Sequence, residues 1–394
     1  MSFTDRWIEA KGCVKCGTCL SQCPIYKEKY TEGSSARGKL SLIEAGVSGE
    51  IDLSEKFMDI ISECLLCGSC REECPNGVMT DEIILAGRAK FMENKGLSLP
   101  KRALSKILSD YPYLIPLLLK FGSLIKDRLS INRFIPLLDK EPFLNRNPKI
   151  IKGRELKVGF FVGCVYNYIL QNVAFSTINV LKNNEITIIT PRDQVCCGLP
   201  LLTLGDINGV KRLILKNIEA FSQFDIDYIV VSCASCLFTI KKYYNIIFED
   251  EKEEIKNKVN SFVSKAIDIS IFLVNILDYR PLNRMSGIVT YHDPCHHYKG
   301  LKIINEPRIL LEPYKFIEMK ESNGCCGFGG IFNIKHYDLS SKIGNKKIEN
   351  ILDTGANIVA TPCSGCILHL MNGINKRNLN IKILHPIELL EENL

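Results

Sequence analysis

The sequence predicts an α+α/β fold: a mostly helical N-terminal domain followed by two tandem α/β repeats. Three observations carry this. Two dense cysteine runs lie within the first 75 residues, with apolar residues at helical spacing between and after them. A set of five cysteines then occurs twice. Cys164, Cys196, Cys197, Cys233 and Cys236 are followed by Cys295, Cys325, Cys326, Cys363 and Cys366, at offsets of 131, 129 and 130 residues. A constant offset marks a duplication. Finally, short apolar runs end on several of these cysteines and alternate with helical patterns, as α/β layers require.

The cysteine content is the number to explain: 18 in 394 residues, against an ordinary 46% hydrophobic and 24% charged background. A chain this long buries a large core, so the cysteines are not staples for a small one. The opening MSFTDRWIEA lacks a basic segment followed by an apolar one. The expectation is a cytoplasmic protein, in which clustered cysteines are metal ligands or redox groups. No run of 18 apolar residues suggests a membrane-spanning helix. The formal charge of +6 is spread along the chain, which argues against nucleic acid as a partner.

Residues 1–95 form the first expected domain. Its runs are Cys13-x2-Cys16-x2-Cys19-x3-Cys23-Pro24 and Cys64-x2-Cys67-x2-Cys70-x3-Cys74-Pro75. Three closely spaced thiolates can wrap three irons of a cube, and the fourth cysteine of each run ligates the other cluster. One [4Fe–4S] cluster is therefore assigned to Cys13, Cys16, Cys19 and Cys74, the other to Cys64, Cys67, Cys70 and Cys23. Zinc fits badly, since it prefers paired C-x2-C ligands. Gly17 and Gly68 stand where side chains would crowd a cluster. Helices are expected over 36–45, 53–61 and 80–94, the second marked by Phe57, Ile60 and Ile61. The domain reads as a mostly helical dicluster ferredoxin.

Residues 96–150 read as a helical linker. Leu104, Ile107, Leu108 and Tyr111 make an apolar stripe, and 113–121 is apolar nearly all round. Two readings stand: helices packed between domains, or a docking pair for a partner or a membrane surface. Lys101, Arg102, Lys106, Lys120, Lys126 and Arg128 supply a basic side.

The first repeat is placed at 151–280 and the second at 281–394. Residues 156–162, 228–232, 288–291 and 357–362 read as buried parallel strands leading to Cys164, Cys233, Cys295 and Cys363. Leu170, Ala174, Ile178 and Leu181, then Ile348, Ile351 and Leu352, mark helices between them. Ligands collect at the carboxyl ends of such strands, so each five-cysteine set should converge on one rim. Cys196 and Cys197, as neighbours in a loop, can reach different irons, and Gly198 would let the backbone approach the sulfide edge. One or two further iron–sulfur clusters are expected in these repeats. Paired zinc sites would strand a thiol, and a thioredoxin-like dithiol would leave the isolated cysteine and the CC pair unexplained.

Two C-x2-C-x2-C-x3-C-P runs followed by two copies of C…CCG…C-x2-C resemble the CCG-domain iron–sulfur proteins over essentially the whole chain. The pattern is similar to the iron–sulfur subunit of glycolate oxidase and lactate-oxidising complexes. It also resembles the D subunit of heterodisulfide reductase and the C subunit of anaerobic glycerol-3-phosphate dehydrogenase. Cys-Pro-Asn-Gly-Val at 74–78, Ala-Arg-Gly-Lys at 36–39, Tyr-His-Asp-Pro-Cys-His at 291–296, Cys-Cys-Gly-Phe-Gly-Gly at 325–330 and His-Pro-Ile-Glu-Leu-Leu at 385–390 carry the likeness to the glycolate and lactate members.

The resemblance implies an oxidoreductase subunit with no catalytic residue of its own. It would pass electrons from a flavoprotein 2-hydroxy acid dehydrogenase to a quinone, a membrane cytochrome or another carrier, and could sit peripherally at the inner membrane face. The alternatives it implies are a disulfide or heterodisulfide reductase working at non-cubane [4Fe–4S] clusters, and a carrier of the glycerol-3-phosphate dehydrogenase kind. His292, His296 and His297 flank Cys295 and read as turn hydrogen-bonders or donors to sulfur, with proton delivery as the alternative.

Overall fold

The computed structural model describes residues 2–111, 114–115, 141–154, 156–281 and 285–392. The N-terminal region is helical, as expected. A 3-10 helix, Phe3–Gly12, packs on helices Ala36–Val47 and Thr80–Lys95, and both of these contact helix Glu55–Ser62. Two of these start on serine caps: Ser35 Oγ accepts from Gly38 N at 2.9 Å, and Ser54 Oγ from Phe57 N at 3.2 Å. Helix Thr80–Lys95 is not a surface helix. Ile83, Ile84, Leu85 and Ala86 are consecutive and all fully buried, so every face is covered. It packs against Phe3–Gly12 on one side and helix Leu199–Leu204 of the first repeat on another.

The linker stripe is not the seam that the apolar pattern suggests. In helix Leu99–Ser109 the buried residues are Ser105 and Ser109, while Leu104 is 37% exposed and Leu99 79%. Polar contacts decide which face turns inward. The Ser105 hydroxyl donates to Asp206, and Lys216 Nζ donates to the Ser109 carbonyl at 2.6 Å. Satisfying these buried groups outweighs the partial burial available to Leu104. Of the apolar run 113–121 only 114 and 115 lie within the described residues, and Lys120, Lys126 and Arg128 lie outside them.

Beyond the linker lie two sheets. The first holds β1 (Ile150–Ile151), β2 (Lys157–Phe161), β3 (Thr187–Ile189), β4 (Tyr228–Val231) and β5 (Ala266–Asp268), in the order β1-β3-β2-β4-β5. The second holds β6 (Ile288–Tyr291), β7 (Lys315–Phe316), β8 (Ile358–Ala360) and β9 (Lys382–Leu384), in the order β7-β6-β8-β9. All pairs are parallel except β1 with β3. The order β3-β2-β4-β5 thus recurs as β7-β6-β8-β9, which is the duplication in three dimensions. Central strands such as Tyr228–Val231 are apolar throughout because helices cover both faces.

The repeats interlock. Helix Pro386–Glu391, which follows β9, packs on helix Gln171–Asn183 of the first repeat. Asn179 Nδ2 donates to Glu391 at 2.5 Å there, and the Ser176 hydroxyl donates to the same carboxylate. Reciprocally, the helical segment after β5, Ile269–Ile276, packs on helix Glu306–Ile309 of the second repeat. At the carboxyl ends of the central strands, Ala234 N donates to the Pro362 carbonyl at 3.0 Å. The two strand ends that precede Cys233 and Cys363 therefore face one another.

Candidate metal centres

All eighteen cysteines are free. The two N-terminal runs have the same backbone. Lys15 and Gly17 in one, and Leu66 and Gly68 in the other, are left-handed, with φ of 57°, 88°, 55° and 71°. These turns curl each loop around its thiols and aim backbone N–H groups inward. Leu66 N lies 3.4 Å from Cys64 Sγ, and Val78 N lies 3.4 Å from Cys74 Sγ. One cavity is lined by Cys13, Cys16, Cys19 and Cys74, and another by Cys23, Cys64, Cys67 and Cys70, with Cys70 also bordering the first. The fourth cysteine of each run thus lies with the other run's triplet. Cys16 is exposed, so the first group opens to the surface.

Two buried cations test whether an anionic cluster fits. Lys39 is 1% exposed and donates to the Ser34 carbonyl. Arg88 is 3% exposed and donates to the carbonyls of Ile61 and Cys64, each at 2.9 Å, and of Thr203 at 3.1 Å. Neither forms an ion pair with a carboxylate among the described residues. Burial pulls both groups downward, while thiolate charge at Cys64 draws both back up, joined at Lys39 by Cys23. A buried cation without a counter-ion is costly. The thiolates and cluster expected in that cavity would carry the missing negative charge, so the residues fit the group.

Each repeat holds its five cysteines on the rim at the carboxyl ends of its strands. Cys164 lies in the short helix Gly163–Tyr168 after β2. Cys196 and Cys197 precede helix Leu199–Leu204, and Cys233 caps helix Ala234–Ile247, which carries Cys236 in its first turn. The thiols form a continuous chain of contacts, Cys164 to Cys196 to Cys197 to Cys236 to Cys233. The second repeat repeats it: Cys295 to Cys325 to Cys326 to Cys366 to Cys363, with Cys326 and Cys366 3.2 Å apart. Within each chain some thiols are pushed up by their neighbours, as at Cys196, Cys236, Cys295 and Cys366, and others down. Contact with Cys236 lowers Cys233 to about 6, and Cys197 and Cys326 are held well below the usual thiol range by their two thiol neighbours. Such sets ionise readily when a metal arrives.

The glycine after each cysteine pair works differently from the sequence expectation. Gly198 has φ of 95°, and a Cβ there would meet Val210 Cγ1 at 3.1 Å. Its counterpart Gly327 has φ of 91° and would meet the Ser340 carbonyl at 2.7 Å. Both serve a left-handed turn and the packing of the next helix. The glycine that does admit a thiol is Gly163, where a Cβ would lie 3.1 Å from Cys236 Sγ.

Two contacts join these groups. Cys233 Sγ lies 3.3 Å from Ser364 Oγ, and Cys363 Sγ 3.1 Å from Ser235 Oγ, so the two repeats meet thiol end to thiol end. Cys67 of the N-terminal region neighbours Cys325 of the second repeat, and the two thiols interact electrostatically. A cleft of about 570 Å³ opens beside Cys325 and is lined by Lys27, Lys299, Lys302, Lys346 and Lys347. Some of this charge is answered, by Glu28 at 2.5 Å from Lys346 and by Glu72 at Lys302.

The three histidines near Cys295 have separate surroundings. His296 stacks on Phe238 at 4.4 Å, with Nδ1 2.9 Å from Ser235 Oγ. His297 is fully buried, with Nε2 2.9 Å from Asp268 of the first repeat. His292 is 1% exposed and is pushed down to about 3 by burial. A nitrogen of its ring and the sulfurs of Cys326 and Cys366 all lie within 4.8 Å of one another. Sequence reasoning missed Lys39, Arg88 and Gly163. An arginine directly after the apolar run 83–87 was the available signal for Arg88.

Comparison with known proteins agrees with this layout. A 4Fe-4S dicluster domain family matches residues 9–78, and the CCG cysteine-rich domain family matches 158–241 and 289–371. An uncharacterized iron–sulfur protein of Methanococcus maripaludis is 31% identical over 97% of this chain and 72% of its own. The probable glycolate oxidase iron–sulfur subunit of Bacillus subtilis is 29% identical over 99% and 96%. The D subunit of the dihydromethanophenazine:CoB–CoM heterodisulfide reductase of Methanosarcina barkeri is 26% identical over 98% and 94%.

Proposed function

The chain belongs to the CCG-domain iron–sulfur proteins, and on that premise we propose that it is the electron-transfer subunit of a flavin-dependent 2-hydroxy acid dehydrogenase complex. The flavoprotein partner oxidises a substrate such as glycolate or lactate, and this subunit passes the electrons to a quinone or another carrier. The observation that carries the reading is the unbroken order of thiol groups. It runs from exposed Cys16, through the Cys23/Cys64/Cys67/Cys70 group, to Cys325 beside Cys67, and then over the junction where Cys363 meets Ser235 and Cys233 meets Ser364. The near-full-length likeness to a probable glycolate oxidase subunit supports the substrate class.

Iron–sulfur clusters held by these thiols would supply one-electron storage and transfer. The chain's own residues do the rest. Lys39 and Arg88 place positive charge beside Cys64, which favours the more negative, reduced form. The backbone N–H groups of Leu66, Val78 and Gly327 point at sulfur and tune its electron density. Burial of Cys196, Cys197, Cys233, Cys236, Cys326, Cys363 and Cys366 keeps water from the inner thiols.

A second reading has its own observation. The lysine-lined cleft beside Cys325 suits an anionic disulfide or thiol, as a disulfide reductase would need. Anaerobic isolation from native cells separates the two. Copurification with a flavoprotein, and reduction of the chain's EPR signals by a 2-hydroxy acid, is the expected outcome. A fully loaded protein that no flavoprotein accompanies, and that gains a new paramagnetic signal on adding a thiol, would overturn it in favour of the second.

A further inference from the structure

The duplication that relates the two five-thiol sets is broken at one position that points into the second set. His292 directly follows strand β6, three residues before Cys295. The same 131-residue offset that relates Cys164 to Cys295 places Phe161 at the equivalent point of the first repeat. Phe161 is a core side chain, stacked on Phe221 at 6.1 Å, and has no atom that could bind a metal. His292 is as deeply buried, but its ring is not fully used by the protein.

Nδ1 of His292 lies 3.2 Å from the Ser322 carbonyl. A carbonyl only accepts, so Nδ1 carries the proton, and in the neutral ring Nε2 bears the lone pair. Nε2 is buried and has no hydrogen-bond partner among the described residues. Buried polar atoms are nearly always satisfied, and an orphaned one calls for a reason. Here the reason is adjacent: Cys326 Sγ, Cys366 Sγ and a ring nitrogen of His292 form a mutually close triad within 4.8 Å. A proton on Nδ1 held by a backbone carbonyl, with Nε2 left for a metal, is how metal-binding histidines are oriented. A second donor firms up the same carbonyl, since Lys347 Nζ approaches Ser322 O at 3.4 Å.

We infer that His292 supplies a nitrogen ligand to iron in the second repeat, so that its centre is mixed thiolate and imidazole while the first repeat's is thiolate alone. The two halves of the duplication are then not redundant. A neutral imidazole among thiolates raises a reduction potential, so the second centre, which also borders Cys67, accepts an electron more readily than the first.

The inference rests on the reading that the repeats bind iron, and the test keeps the two apart. Full-length protein is isolated anaerobically with natural-abundance or 15N-labelled histidine, and iron, sulfide and zinc are quantified. Pulsed EPR is then recorded over a redox titration. The expected result is a strongly coupled histidine nitrogen that changes with the label, is lost in His292→Phe, and is accompanied in that variant by a lower potential for the second-repeat signal. Iron in the repeats without any label-sensitive coupling in the wild type, or a coupling that survives in His292→Phe, overturns the inference alone. If His292→Phe fails to fold, His292→Gln replaces it in the same measurement, and a labelled wild type without coupling still overturns the inference. Zinc in the repeats, or only about eight irons in all, overturns the iron reading and the inference with it.

Discussion

The Cys67 and Cys325 thiols are neighbours that interact electrostatically, which ties the second N-terminal thiol group to the second repeat and not to the first. The first repeat connects through the far end of the second, at Cys233 and Cys363. Chain order and spatial order therefore differ: the later repeat stands between the N-terminal region and the earlier one.

That order makes Cys325 the junction. In Cys325→Ser, reduction of the N-terminal signals should proceed at the wild-type rate. Reduction of the repeat signals should slow by about 10–100-fold, the usual scale for disturbing a metal's surroundings. Freeze-quench EPR after mixing with reductant reads both rates in one sample. Equal slowing of both, with N-terminal iron intact, would mean that electrons do not take this route.

Lys39 makes a second prediction. Its ammonium is buried beside Cys23 and Cys64, and their thiolate charge is what opposes its desolvation. A unit charge about 6 Å away at an effective dielectric near 20 is worth roughly 3 kcal/mol, or about 100 mV for one electron. Lys39→Met should lower the potential of the neighbouring centre by up to that amount and leave the Cys13/Cys16/Cys19/Cys74 centre nearly unchanged. Potentiometric EPR titration distinguishes them. A potential that stays put would show that water or another cation takes over the charge.

Gly163 supplies a third. Its φ is 71°, and a methyl group on its Cα would lie 3.1 Å from Cys236 Sγ, tight enough that the thiol must give way by a few tenths of an ångström. Gly163→Ala should cost about 1–2 kcal/mol from backbone strain alone and displace Cys236. Iron bound by the first repeat should fall, while that of the second repeat, where Pro294 holds the equivalent position, should not. Equal iron loss from both repeats would make the effect one of global unfolding.

Much of this was legible from short-range pattern. Cysteine spacing reports ligand loops because a loop's reach is local, and the buried runs at 228–232 and 357–362 are legible because parallel strands are apolar on both faces. Constant offsets exposed the duplication. What escaped depends on partners distant in sequence. The inward face of Leu99–Ser109 is set by Asp206 and Lys216, not by its own apolar stripe. Gly198 answers to Val210, and His292 is distinguished from His296 and His297 only by what surrounds it. The crossing of Pro386–Glu391 onto the first repeat has no local period at all.

That crossing helix carries a pH dependence. Glu388 closes a capping box by accepting from His385 N at 2.7 Å. Burial lifts its carboxyl from 4.5 to about 7, opposed by the His385 N–H and assisted by the charges of Glu391 and Glu392. Because the folded value lies above the unfolded one, the proton is bound more tightly in the folded state. The associated stability is complete below about pH 4.5 and is lost as pH rises through about 7, by at most about 3 kcal/mol. Hydrogen-exchange protection of 386–391, corrected for intrinsic rates, should therefore fall between pH 5 and 8. Glu388→Gln keeps an acceptor for His385 N but cannot titrate, so its protection should be flat across that window and exceed wild type at pH 8. A variant that retains the wild-type slope would assign the titration to another group.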